Sequence, residues 1–170
     1  MTSRIGWFAL GFIAAIVALA LGAYVFLRAG GMPMATSAAP LPLERTIAGL
    51  ALAASYGNAA QQKNPLPVDE TNLSAGARKY NDACSVCHGV PHLALSAIAK
   101  GMFPPPPQLF EHMVTDDPEG ITFWKVTNGI RMTGMPAFQS TLSDTERWQV
   151  TMLLAHADRL PARVLASFTP

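Results

Sequence analysis

The pentapeptide CSVCH at residues 84–88 constrains this 170-residue chain more than any other stretch. Cys84 and Cys87 are the two cysteines that the chain has, so they leave no further thiol for a disulfide framework. Two thiols three positions apart at the end of a helix can each add to one vinyl group of a single haem. The adjacent His88 then lies beneath the iron as a ligand. The spacing therefore predicts covalent attachment of haem c.

A C-x-x-C pair alone also fits a thioredoxin-like redox pair or half of a zinc site. The redox reading expects a strand before the motif and a βαβ pattern around it, and the sequence shows neither. Zinc requires two more ligands, and His92, His112 and His156 have no finger-like separation. Haem attachment is the favoured interpretation.

Other motifs follow in a fixed order around the pentapeptide. Gly76-x-x-x-Tyr80 precedes it, and a proline-rich loop, NGIR at 128–131, GMPAF at 134–138 and a helix start at 142–144 come after it. In this order, residues from about 71 to 160 resemble a class I monohaem c-type cytochrome of the membrane-anchored bacterial form. The resemblance implies an all-α domain around one covalently attached haem.

The resemblance also implies that His88 and Met135 ligate the iron from opposite sides. A soft thioether suits haem iron in an apolar pocket, and Met/His ligation raises the reduction potential. Met132 is the nearest rival to Met135, and bis-histidine ligation through His112 or His156 is the other alternative. One of the four prolines at 104–107 is expected to offer its carbonyl to the second nitrogen of His88.

Further residues receive roles around the haem. Arg131 and Trp124 are candidate donors to the haem propionates, which are anions, and Phe138 is expected to wall the pocket. Tyr80 and Trp148 are expected to fill the crossing of the first and last helices of the domain.

Residues 1–28 are predicted to form a transmembrane anchor. An uncharged run of 23 residues lies between Arg4 and Arg28, and a helix of that length spans about 34 Å. The alternative is a cleaved signal peptide, whose apolar region is normally shorter. Trp7 and Tyr24 suit the two membrane interfaces.

Residues 29–70 are predicted to form an Ala- and Pro-rich tether, and residues 71–170 the haem domain. Within the tether, a helix over 43–60 has a weak apolar face that could dock on a partner, lie on the membrane or cover the following domain. In the haem domain, a helix is expected at about 73–86. A second is expected from Asp117-Pro118-Glu119, with Asp117 as its N-cap, to Gly129, and a third from the capping box Ser143-x-x-Glu146 to about residue 160.

Composition excludes several classes of protein. Half of the residues are hydrophobic and 14 % are charged, which excludes an intrinsically disordered chain, and 12 basic against 11 acidic residues give no argument for nucleic-acid binding. We find no catalytic residues and expect no small-molecule substrate.

The resemblance, together with the apolar run, implies one-electron transfer at the bacterial cytoplasmic membrane. In the family that the chain resembles, haem c is attached on the outer face of that membrane, so the haem domain is expected in the periplasm, acting on redox partner proteins as a carrier or as a subunit of a respiratory or other redox complex. A haem-based sensor or peroxidase-like enzyme with a dissociable methionine is the alternative from another class. In a third reading, the N-terminal part carries the function and the haem only stabilises the fold.

Overall fold

The computed structural model describes residues 2–111 and 117–168, and every regular element within those ranges is helical. This confirms the all-α prediction. The helices are α1 (Thr2–Arg28), α2 (Glu44–Ser55), a short 3-10 helix (Ala59–Gln61), α3 (Glu70–Ala83), α4 (Ser85–His88), α5 (Ala97–Lys100), α6 (Glu119–Asn128), α7 (Asp144–Ala155) and α8 (Ala162–Leu165). The chain divides into two compact units, Met1–Glu44 and Arg45–Pro170.

Helix α1 dominates the first unit. Between Arg4 and Arg28 its mean hydropathy reaches 2.5, and it is the one helix in the described part of the chain long and apolar enough to cross a membrane. Its large apolar side chains are exposed along its whole length. Such a surface is unfavourable in water, which makes α1 a candidate membrane span.

The segment after α1 differs from the single helix predicted over 43–60. Helix α2 ends at Ser55, and the chain turns at Gly57, whose φ is +50°, before the 3-10 helix begins. The apolar face of α2 is exposed, with Ile47 at 62 % and Leu50 at 68 %. The following residues make the contact with the helical domain, because Ala59 is buried where its carbonyl meets Gly120 of α6.

The core of the second unit forms where α3 crosses α7. Helix α3 buries Leu73, Gly76, Ala77 and Tyr80, a spacing that places all four on one face. Helix α7 supplies most of the opposing surface. The remaining core side chains come from α6, α8 and the segment before α8: Val126, Leu160 and Val164.

The helix ends confirm some of the local predictions and correct others. Ser143 and Glu146 form the predicted capping box, and α6 ends at Gly129 as predicted. Asp117 does not cap α6, because its carboxylate pairs with Lys125 two turns along at 2.7 Å and Pro118 occupies the N-cap position. The last long helix ends at Ala155, five residues before the predicted end, because the backbone forms a turn at residues 156–158.

Candidate haem site

The attachment motif folds as one separate helical turn at the end of α3. Cys84 ends α3, and its carbonyl accepts hydrogen bonds from the amides of Cys87 at 3.1 Å and His88 at 2.9 Å. Gly89 closes the turn with φ +70°, a conformation that favours glycine. The two thiols and the imidazole therefore belong to a single turn of five residues, 84–88.

Two side chains, those of Ser96 and Tyr80, fix this turn on its neighbours. The hydroxyl of Ser96 donates to the carbonyl of Val86 at 2.5 Å and accepts from the amide of Ala99 at the start of α5. The buried Tyr80 hydroxyl donates to the carbonyl of Gly89 at 2.7 Å. Sequence reasoning gave Tyr80 a packing role and missed both hydroxyl contacts, because they depend on how the chain folds back.

The orientation of His88 is set by the proline-rich loop. Its Nδ1 lies 2.9 Å from the carbonyl oxygen of Pro107. Because a carbonyl only accepts, Nδ1 carries the proton and Nε2 is the nitrogen with a free lone pair. Among the four candidate prolines, the structure selects Pro107. Burial lowers the pKa of His88, and the Pro107 carbonyl partly opposes that effect.

The environment of Cys84 does not resemble that of a redox-active dithiol. Burial, and then the nearby Cys87, raise the pKa of Cys84 to about 12. Reactive C-x-x-C pairs depend on a lowered thiol pKa, because the thiolate is the nucleophile. The structure therefore disfavours the thioredoxin-like alternative, as does the helix that precedes the motif.

Met135 lies in a loop that we call the distal loop, residues 129–139. The half-buried Met135 side chain packs against the same core as Cys84. Its amide donates to the hydroxyl of Thr133 at 3.1 Å, and its carbonyl accepts from the amide of Ile130 at 3.2 Å. These contacts hold the backbone on both sides of the thioether.

The alternative axial ligands occupy different positions. Met132 is 82 % exposed, whereas Met135 packs against the core, which supports Met135 over Met132. His156 ends α7, and its Nδ1 donates to the carbonyl of Met152 at 2.9 Å. His112 lies outside the described residues.

The two residues assigned to the haem propionates are not brought together by any described contact. Arg131 is exposed at the start of the distal loop. Trp124 is half-buried on α6, where its ring meets the edge of Tyr56 with 5.3 Å between centroids. Their role at the propionates stays a prediction.

The two aromatic residues expected at the helix crossing are both buried, but each has its own partners. Tyr80 contacts Phe110 and Phe168 edge-on, with centroids 5.2 and 6.0 Å apart. Trp148 stacks on Phe123 of α6 at 3.9 Å. Both side chains serve packing, as predicted, but they pack against different aromatic residues.

The donor set fits haem c. Two thiols on one turn could form the two thioether bonds, His88 offers Nε2, and Met135 offers a thioether sulfur from the core side. Phe138, Leu109 and Phe110 are partly buried apolar residues beside the same core. These residue types at this spacing define a c-type cytochrome domain.

Comparison with known families agrees with that class. Residues 71–152 match the family described as cytochrome c oxidase, cbb3-type, subunit III. The match supports a c-type cytochrome domain in this part of the chain, and an N-terminal apolar helix precedes it. No curated protein matches the chain.

Proposed function

We propose that this chain transfers single electrons through one haem c held by residues 71–170 and tethered to a membrane by α1. The observation that carries the proposal is the 2.9 Å contact between His88 Nδ1 and the carbonyl oxygen of Pro107, which leaves Nε2 with a free lone pair that could bind a haem iron. When bound, haem c supplies a one-electron couple. If His88 and Met135 both bound the iron, no coordination position would be left for a substrate, and the protein would act as an electron carrier.

Each site residue has a separate task in this proposal. Cys84 and Cys87 would hold the haem through thioether bonds, and His88 and Met135 would be its iron ligands in both oxidation states. Arg131 and Trp124 donate to the propionates. Phe138 limits the entry of water.

The surface near the attachment turn supports recognition through apolar contacts. Val86 lies within the motif and is exposed, and so is Ile98 of α5, a helix that packs against the attachment turn. From residue 71 onward the sequence has eight Lys and Arg residues against eight Asp and Glu residues, so no strong electric field selects a partner. We propose that redox proteins dock here without electrostatic steering.

A second candidate within the same chemistry is a fixed subunit of a larger redox complex. The matched family takes its description from an oxidase subunit, and α2 exposes Ile47 and Leu50 on an apolar face that a neighbouring subunit could cover. In either case we propose that α1 crosses the bacterial cytoplasmic membrane once, with the haem domain in the periplasm.

The test uses the full chain, expressed with haem attachment in membranes. We expect the protein to stay in the membrane fraction after a high-salt wash, to titrate as a one-electron couple, and not to bind carbon monoxide when reduced. Cys84→Ser should reduce covalent haem and electron flow while the protein remains in the membrane. Fast carbon monoxide binding by the wild type would instead favour a sensor or peroxidase-like enzyme. Unchanged electron flow in Cys84→Ser would support the reading in which the haem is only structural.

A further inference from the structure

Arg147 of α7 is a buried charged residue that has no role in the electron transfer proposed above. The residue is 7 % exposed, and its guanidinium carbon lies 5.2 Å from the centre of the Phe123 ring. Removing a guanidinium from water is costly unless hydrogen bonds and an opposite charge compensate. Its partners therefore show what this buried charge contributes.

The guanidinium reaches from α7 to the last turn of α6. Nη1 donates to the hydroxyl of Thr127 at 2.7 Å, and Nη2 donates to the carboxylate of Asp144. Nε is buried and has no hydrogen-bond partner among the residues that the structure describes. The Asp144 side chain is 82 % exposed, so water screens that ion pair. Thr127 is the half-buried partner that links Arg147 to another element.

The last turn of α6 is also where the distal loop returns to the helices. The amide of Phe138 donates to the carbonyl of Val126 at 3.1 Å, and the amide of Gln139 donates to the carbonyl of Thr127 at 3.3 Å. At its other end the loop leaves α6 directly through Gly129. Thr127 therefore contacts Arg147 through its side chain and the distal loop through its backbone.

We propose that Arg147 is a positioning residue that, through Thr127, holds the distal loop against the last turn of α6 and thereby keeps the Met135 sulfur on the haem iron. The inference rests on the proposed function, since it requires Met135 as an axial ligand. Without the Thr127 hydroxyl, Nη1 becomes a buried donor with no acceptor. The last turn of α6 then shifts to admit water, and the distal loop moves with it.

The test compares Thr127→Val, which removes the hydroxyl at nearly constant shape, with Thr127→Ser, which keeps it. Both are made in the full-length holo-protein. The readouts are the sulfur-to-iron charge-transfer band and the rate at which carbon monoxide replaces methionine on the reduced iron. We expect Thr127→Val to bind carbon monoxide about tenfold faster than the wild type, and Thr127→Ser to stay within about twofold of it. Arg147→Met should reproduce the effect of Thr127→Val and serves in its place if that variant does not fold.

Two controls separate positioning from general stability and from the ligand assignment. Val164→Ala removes buried volume from α8, which packs against α3 and not against α6 or α7 among the described helices, and it should lower stability without changing the ligand-exchange rate. Equal acceleration in Val164→Ala and Thr127→Val, or no acceleration in Thr127→Val, would overturn the inference. Met135→Ala is measured in parallel. If the wild type already binds carbon monoxide as fast as Met135→Ala, the assignment of Met135 fails first and the inference fails with it.

Discussion

Gly76 of α3 lies so close to the backbone carbonyl of Gln149 of α7 that a Cβ at position 76 would overlap the oxygen. The same Cβ would stand 3.3 Å from the Cβ of Leu153. This close approach lets α3 and α7 pack tightly. Tyr80 of α3 is fully buried and contacts Phe110 and Phe168. Because the attachment turn follows directly from α3, the crossing also determines where Cys84 and His88 lie.

Gly76→Ala should therefore destabilise the domain by about 1–3 kcal/mol, since a helix backbone cannot yield as a flexible side chain does. The measurement is denaturant unfolding of the holo-protein, followed by haem absorbance and helical signal. Gly49→Ala in α2 is the matched control, because no neighbouring atom lies within 4 Å of a Cβ there. It should be neutral or stabilising by up to about 1 kcal/mol. Equal stability of Gly76→Ala and wild type would contradict the packing described.

Replacing Met135 by alanine should convert the reduced protein from one that excludes carbon monoxide into one that binds it. The sulfur-to-iron band should disappear, and the midpoint potential should fall by about 59 mV for every tenfold loss in preference for ferrous iron. The experiment combines optical spectra with a redox titration.

Met132→Ala is the internal control for this assignment. Met132 is three positions away but exposed, so its loss should change neither the spectrum nor the potential. If Met132→Ala abolished the sulfur-to-iron band and Met135→Ala left it unchanged, Met132 would be the ligand and the distal loop would have to rearrange.

Local features of the fold and site could be predicted from the sequence, because they depend on residues a few positions apart. The CSVCH turn, the capping box at Ser143 and the glycine end of α6 are all of this kind. The Asp117 prediction failed because Lys125, two turns away, offered the carboxylate a charged partner. The spacing of apolar residues along the sequence does not indicate which partner the Asp117 carboxylate takes.

Contacts between distant segments could not be predicted. Which of four prolines faces His88 depends on how a loop 19 residues away folds back. The contact between Tyr56 and Trp124 joins the predicted tether to α6, and no pattern in either segment indicates it. The bond between Arg147 and Thr127 likewise appears only when α6 and α7 are packed.

The ion pair of Lys79 and Glu146 should make stability depend on pH in the acid range. The ammonium lies 2.7 Å from the carboxylate, which also accepts from the amide and hydroxyl of Ser143. Lys79, followed by Ser143, lowers the pKa of Glu146 from 4.5 to about 2. Because the pKa of Glu146 is depressed in the folded state, the ion pair contributes fully to stability above pH 4.5. That contribution is lost as the pH falls to about 2.

Lys79→Gln should accordingly be less stable than wild type at neutral pH, and the difference should shrink as Glu146 becomes protonated. Denaturant unfolding at a series of pH values measures this convergence. Lys100→Gln, at the exposed end of α5, should give a difference that does not change over the same range. A constant difference for Lys79→Gln would show that the ion pair does not cause the effect.

Gly129 is the position at which the distal loop is most sensitive to an added methyl group. Its φ is +65°, and a Cβ would lie 2.6 Å from the carbonyl carbon of Pro136 and 2.8 Å from the carbonyl oxygen of Met135. Gly129→Ala should therefore combine backbone strain of about 1–2 kcal/mol with a clash against the residues that carry the thioether.

Gly57→Ala separates these two contributions. Gly57 also has a positive φ, +50°, but no atom lies within 4 Å of the place its Cβ would occupy. Both variants should lose stability in denaturant unfolding, with the larger loss in Gly129→Ala. Only Gly129→Ala should also weaken the sulfur-to-iron band, because only there does the methyl group push against the backbone that holds Met135. An unchanged band in Gly129→Ala would mean that the distal loop can move at Gly129 without releasing its methionine.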